Sequence, residues 1–157
     1  MINMIFAADE KGAIGYKGGL PWPSMPGDIE RYLGFTRNAT IVFGRGTYET
    51  ADTLSGKRKI LLTTSVMEAP DVKVVHDVSD IVKISKDETV WVIGGSKMFE
   101  SVLPFADKIY MTLIHGVFTA DTYFTFDTQG WKLIEKAWHD KDDKNPYAYE
   151  FLTYERA

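Results

Sequence analysis

The chain has 157 residues, 45% of them hydrophobic and 25% charged, the ordinary balance of one globular domain with a real core. It has no cysteine, which excludes disulfides, thiolate metal sites and cysteine nucleophiles. A net charge of −4 gives no electrostatic reason to expect nucleic acid or an anionic membrane as a partner.

Residues 2–8 form an apolar, partly β-branched run that reads as a strand. Asp9-Glu10-Lys11 interrupts it too early for a membrane span, and the basic start of a signal peptide is missing, so a cytoplasmic protein is expected. Leu20-Pro21-Trp22-Pro23-Ser24-Met25-Pro26-Gly27-Asp28 is a stiff, proline-rich wall ending in an acid. A helix is predicted over 28–35, with Asp28, Tyr32 and Phe35 on one stripe. Strands follow at 40–43, 59–63, 72–75, 89–93 and 108–114. Helices are expected at 46–52, at 78–85 with Asp77 as N-cap, and at 96–103, stopped by Pro104. Runs 131–139 and 147–155 flank a charged turn and read as an antiparallel hairpin. The sum is a single α/β domain over 1–157. Its mostly parallel central sheet is flanked by helices and closed by a C-terminal antiparallel hairpin.

Two glycine turns stand where a strand meets a helix: Gly44-Arg45-Gly46-Thr47 and Ile93-Gly94-Gly95-Ser96-Lys97. Helix N-termini present free N–H groups and partial positive charge, and glycine lets the backbone approach a phosphate closely. Neither turn completes a G-x-G-x-x-G or P-loop pattern, and each taken alone reads first as a plain tight turn. Together they favour a ligand with several phosphates, bound along the carboxyl ends of the strands. Arg45, Thr63, Thr64, Ser65 and Lys97 are suitable company for phosphate; solvated cations and a hydroxyl-rich turn are the structural alternatives. The stripe of Asp28, Tyr32 and Phe35 suits a flat heterocycle with an N–H edge, or else Asp28 stabilises its own helix and the rings are core. His76, His115 and His139 show no metal-ligand spacing, so no metal is expected.

Taken together, these residues resemble the dihydrofolate reductase family over nearly the whole chain. The likeness rests on Gly12-Ala13-Ile14-Gly15 with Leu20-Pro21-Trp22 after the first strand, on Asp28, and on Gly44-Arg45-Gly46-Thr47-Tyr48-Glu49. Val92-Ile93-Gly94-Gly95-Ser96 and Asp121-Thr122-Tyr123-Phe124 complete it. The resemblance implies hydride transfer from NADPH to C6 of dihydrofolate and a proton to N5, a step of tetrahydrofolate and one-carbon metabolism. It implies a catalytic group of Asp28, Trp22 and Leu20, and a folate site of Ile5, Ala7, Asp28, Tyr32, Leu54, Lys57 and Thr112. NADPH would be held by Ala7, Ile14, Gly44, Arg45, Gly46, Thr47, Thr63, Thr64 and Ser65, with Ile93, Gly94, Gly95, Ser96, Lys97, Met98, Phe99 and Thr122. A cis peptide between Gly94 and Gly95 and a mobile lid over residues 8–23 are also implied.

Three departures stand out. Lys57 occupies the position of an arginine that grips the folate's glutamate tail, with Arg58 one place late. Phe99 replaces a tyrosine, and Gly18-Gly19 softens the lid. The alternatives are a related pteridine or pyrimidine reductase and a non-catalytic NADPH-binding module. A monomer is the expected state.

Overall fold

The computed structural model describes residues 1–50 and 54–157. Among the described residues, ten strands and four α-helices run in the order β1 (Ile2–Asp9), β2 (Ala13–Gly15), α1 (Pro26–Thr36), β3 (Thr40–Gly44), α2 (Arg45–Thr50), β4 (Arg58–Leu62) and β5 (Lys73–Val75). Then come α3 (Val78–Ser85), β6 (Val90–Gly94), α4 (Ser96–Val102), β7 (Lys108–Ile114), β8 (Thr122–Tyr123), β9 (Trp131–His139) and β10 (Tyr149–Arg156). Eight strands form one sheet in the order β5-β4-β3-β6-β1-β7-β10-β9. The pairs from β5 to β7 are parallel, and β10 is antiparallel to both β7 and β9. The expected architecture is met.

The interior strands read as continuous apolar runs because both sheet faces are covered. Successive side chains alternate between two cores. Met4, Val42, Ile60 and Val92 point to one, closed by Ile81 of α3 and Met98, Phe99 and Val102 of α4. Ile5, Ile41, Phe43, Leu61 and Trp91 point to the other, where Tyr32 and Phe35 of α1 pack. Phe35 stacks on Trp91 with ring centroids 4.9 Å apart, so this ring belongs to the core.

Boundaries shift by a few residues from the sequence expectations. Helix α1 begins at Pro26, and proline is suited to that first turn because its missing N–H has no helical partner there. The helix expected over 46–52 starts at Arg45; its last two residues, Ala51 and Asp52, lie outside the described residues. Pro104 falls inside a 3₁₀ turn, Leu103–Phe105, that extends α4. Asp77 caps α3, accepting a hydrogen bond from the Ser79 N–H at 2.8 Å. The two-residue strand β8 and its partner β2 escape a periodicity reading, being too short to show a period. The outer strand β9 exposes Leu133, Ile134 and Trp138, and Lys132, Glu135 and Lys136 interrupt them, charges that discourage edge-to-edge pairing. Among the described residues no helix is long and apolar enough to cross a membrane.

Candidate active site

A cavity of about 1120 Å³ runs across the carboxyl ends of the parallel strands. That exceeds the usual range for one small ligand, roughly 300–1,000 Å³, and gives room for two molecules side by side. Its position follows from the strand order, since β6 lies between β3 and β1 and the connections diverge there.

One end is built by the glycine turns. Strand β3 delivers Gly44 and strand β6 delivers Gly94 to the same place. A Cβ on Gly44 would lie 3.8 Å from the Gly94 carbonyl oxygen, and one on Gly94 would press within 3.3 Å of Thr47 Oγ1. The backbone is thus bared where two helices begin, and the Gly94–Gly95 peptide is cis, as expected. Arg45 lies beside this cradle. Its Nε donates to Glu49 Oε1 at 2.6 Å and its Nη1 to Ser65 Oγ at 3.0 Å. Ser65 in turn donates its N–H to Thr63 Oγ1 at 3.1 Å. Bared N–H groups, hydroxyls and the cations Arg45 and Lys97 form a donor set that fits a phosphate-bearing cofactor.

The other end is built around Asp28, in the first turn of α1. Its carboxyl does not cap its own helix; the N-cap residue is Met25, without a side-chain cap. It meets instead the buried hydroxyl of Thr112 on β7. Burial pushes the Asp28 carboxyl above its ordinary value, while the Thr112 hydroxyl and the positive Arg31 pull it the other way. Tyr32, one turn on, is also pushed up by burial. A carboxyl that meets a buried hydroxyl across a cleft, on a rigid helix, can accept two N–H groups from a heterocycle's edge. The helix start is held in place by the C-terminal hairpin. Gly27 donates its N–H to Asn145 Oδ1 at 3.0 Å, and a Cβ on Gly27 would strike the Tyr149 hydroxyl at 2.1 Å.

Between the two ends lies the loop from β1 to α1. Asp9, buried at its base, accepts the N–H groups of Lys11, Ala13 and Phe118 at 2.8, 2.9 and 3.0 Å. Strand β2 pairs with β8, and Asp121 Oδ2 accepts the Lys17 N–H at 2.8 Å. Tyr16 and Gly19 exchange two backbone hydrogen bonds of 2.9 Å around Lys17 and Gly18, both at positive φ (49° and 78°). That is the geometry of a tight hairpin turn, in which glycine carries the left-handed conformation without strain. Gly18-Gly19 therefore serves a defined turn as well as a soft segment.

The expected site residues converge with two exceptions. Asp28, Leu20, Ile5, Ala7, Tyr32, Leu54 and Thr112 line the cavity. So do Ile14, Gly44, Arg45, Gly46, Thr47, Thr63, Thr64 and Ser65, together with the segment 93–99 and Thr122. Trp22 does not: it is 5% exposed and packs with Met25, Ile114 and Tyr149, its ring 5.9 Å from that of Phe118. The apolar tip of the loop thus divides into a buried anchor, Trp22, and a half-exposed Leu20 that reaches the cavity. Lys57 is exposed and does not line the cavity either. Among the lining residues without a role from the sequence, two carry chemistry worth noting. His76 Nδ1 lies 2.7 Å from the Thr63 carbonyl oxygen, beside the Arg45 cluster. Arg31 stands on the helix face of Asp28 by its spacing of three, a signal available in the sequence.

Fold and site together define an α/β protein that places a glycine cradle and a partly buried carboxylate in one cleft, an arrangement that suits an oxidoreductase using a nucleotide cofactor. The family model for dihydrofolate reductase matches residues 1–156. The chain is 39% identical to a dihydrofolate reductase of Bacillus subtilis, covering 99% of this chain and 95% of that one. It is 31% identical to a type 3 dihydrofolate reductase of Salmonella typhimurium, over 99% and 98% of the two chains. A solved dihydrofolate reductase from Enterococcus faecalis, complexed with NADP(H) and RAB-propyl, superposes with a TM-score of 0.92 at 34% identity, over 99% and 96% of the chains. The chain belongs to the dihydrofolate reductase family, whose members are NADPH-dependent oxidoreductases.

Proposed function

We propose that this chain reduces 7,8-dihydrofolate to tetrahydrofolate with NADPH, acting as a cytoplasmic monomer without nucleic-acid or membrane partners. The observation that carries the reading is the pairing of Asp28 with Thr112 at one end of a cavity whose other end is the glycine cradle with Arg45. A module that bound the cofactor without turnover would have no use for that carboxylate. When bound, NADPH supplies the hydride that goes to C6. Its phosphates would be held by Arg45, Thr64, Ser65 and Lys97 and by the bared backbone of Gly44, Gly46 and Gly95. Thr47, Thr63, Ser96, Met98 and Thr122 complete the wall, with Ile14 and Ile93 at the ring.

The chain's own residues do the rest. Asp28 accepts the pterin's amino group and ring N–H and, with Thr112, fixes the ring's angle in the cleft. Its negative charge favours protonation of the pterin, and the proton adds at N5 as the hydride adds at C6. Ile5, Ala7, Tyr32 and Leu54 supply apolar walls, and Leu20 covers the reacting edge from water. Trp22 acts as a positioning residue, tying the loop that carries Leu20 to the sheet below. Mixing the protein with NADPH and dihydrofolate should consume the cofactor absorbance; NADPH that stays intact would rule out the reading.

The glutamate tail of the substrate needs a cation at the rim. Arg58 is the first residue of β4 and donates from Nη1 to Glu88 Oε2 at 2.8 Å, which occupies it. Lys57 is exposed, three residues beyond the cavity-lining Leu54. Lys57→Ala is expected to raise KM for dihydrofolate about tenfold, a loss of about 1.4 kcal/mol, with kcat nearly unchanged, whereas Arg58→Ala should do little. The reverse ranking in steady-state kinetics would assign the tail to Arg58.

The lid carries a prediction of its own. Proline cannot adopt the positive φ of Gly18, and proline at 19 cannot donate to the Tyr16 carbonyl oxygen. Replacing Gly18-Gly19 with Pro-Pro should slow turnover severalfold while leaving the urea midpoint almost in place. Unchanged pre-steady-state and steady-state rates would remove the loop from the mechanism.

A further inference from the structure

Arg31 is held by four side chains, none of which lines the cavity. Its Nη2 donates to Glu135 Oε1 on β9 at 2.5 Å and lies 3.4 Å from Thr153 Oγ1 on β10. Thr153 itself donates to the same Glu135 oxygen at 2.9 Å. The guanidinium carbon sits 4.1 Å from the ring centroid of Phe151 and 5.5 Å from that of Phe35. The side chain is only 16% exposed. A long side chain clamped by a carboxylate, a hydroxyl and two rings has lost most of its freedom, so its charge stays at one place. That place is set by the helix: Arg31 follows Asp28 by three residues, on the same face of α1.

We infer that Arg31, clamped by Glu135 and Phe151, is a positioning residue that holds a fixed positive charge behind Asp28 and thereby sets the pH range over which the site can deliver a proton. The inference rests on the reading of the site given above and assigns a role to residues that reading does not use. Other titratable groups surround Asp28. Tyr32 and Glu30 are on α1, Tyr110 is on β7, and Tyr149 is on β10 and senses the Asp28 charge. His139 on β9 stacks on Tyr149 with centroids 4.9 Å apart, and Glu135 lies beyond Arg31. Burial pushes the Tyr32 and Tyr149 phenols up, and the charge that acts on Asp28 is that of Arg31, which opposes the effect of burial. A cation beside the site disfavours a proton on either Asp28 or the pterin it holds, so the pair titrates as a unit that Arg31 shifts downward.

The test uses two readouts, ¹³C NMR titration of the Asp28 carboxyl in the ligand-free protein and the pH dependence of hydride transfer with NADPH and dihydrofolate. Arg31→Met keeps length and removes charge. It should raise both midpoints by about one unit. Arg31→Lys keeps the charge but loses the planar clamp, so it should raise them by less than Arg31→Met does. Glu135→Gln keeps an acceptor for Arg31 and Thr153 but removes the counter-charge, so it should lower them. Midpoints that stay in place or fall in Arg31→Met overturn the inference; if that variant does not fold, an unmoved or raised midpoint in Glu135→Gln does so. The carboxyl titration judges the inference even if the wild type leaves dihydrofolate unreduced, a result that would instead overturn the functional reading.

Discussion

Asp28→Asn is expected to fold, to bind NADPH and to lose roughly 10²-fold or more in the rate of hydride transfer at pH 7. Asparagine keeps the volume, and its carbonyl oxygen can still accept from the heterocycle. It cannot carry the negative charge that favours a protonated pterin, and its amide donates where the carboxylate would accept. The same substitution separates chemistry from folding. Burial raises the folded-state pKa of Asp28 above the ordinary 3.8, so the folded protein holds this proton to higher pH than the unfolded chain does. The favourable contribution of the neutral carboxyl is complete below the unfolded value and is lost as pH rises through the folded one. At neutral pH the ionised carboxylate therefore costs stability, and Asp28→Asn should be at least as stable as the wild type at pH 7, an advantage that fades below about pH 4. Stopped-flow hydride transfer and urea unfolding at both pH values check the two halves. A near-normal rate at pH 7 would refute the role of Asp28, and a large loss of stability there would mean that the carboxylate holds the fold.

The second large effect concerns the choice of cofactor. A 2′-phosphate adds nearly two negative charges that NADH lacks, and each charge-assisted hydrogen bond to it contributes about 1.5–3 kcal/mol. Arg45 is aimed before any ligand arrives. Glu49 holds its Nε and Ser65 its Nη1, which leaves the other guanidinium donors free of those two contacts. The residue is half exposed, so water screens part of its charge and the lower end of that range applies. Arg45→Ala is accordingly expected to weaken NADPH binding about tenfold and to leave NADH binding unchanged, narrowing a strong wild-type preference for NADPH. Direct binding titrations with both cofactors test this. Equal use of the two by the wild type would mean that the cluster of Arg45, Thr64, Ser65 and Lys97 does not hold a 2′-phosphate.

Much of the architecture was legible along the chain, for local reasons. Parallel strands buried on both faces must be short and continuously apolar, so β1, β3, β4, β6 and β7 stood out within a residue or two. Asp77 and the two glycine turns are signals contained in a few adjacent residues. The five matching segments are likewise local, each contained in a few adjacent residues. Positions that depended on partners far along the chain were less legible. Trp22 reads as an active-site wall beside Leu20 and Pro21, yet it faces the core because Ile114 and Tyr149 come to lie beneath it. The turn around Gly18 reads as slack, yet Asp121, 104 residues on, fixes it through the Lys17 N–H.

The amino-acid sequence by itself determined the layers, the strand and helix types, the family, and the acid and glycine turns that come to line one cavity. All of these follow from residue type at short range, through periodicity, backbone freedom at glycine and the charge of single side chains. Tertiary structure alone decided that Asp28 turns from its own helix to Thr112, and that burial raises its carboxyl. It alone brought Gly44 against Gly94, and Arg31 against Glu135 and Phe151. A pKa and a cradle are properties of what surrounds a group in space. Those surroundings come from strands that are neighbours in the sheet but dozens of residues apart in the chain.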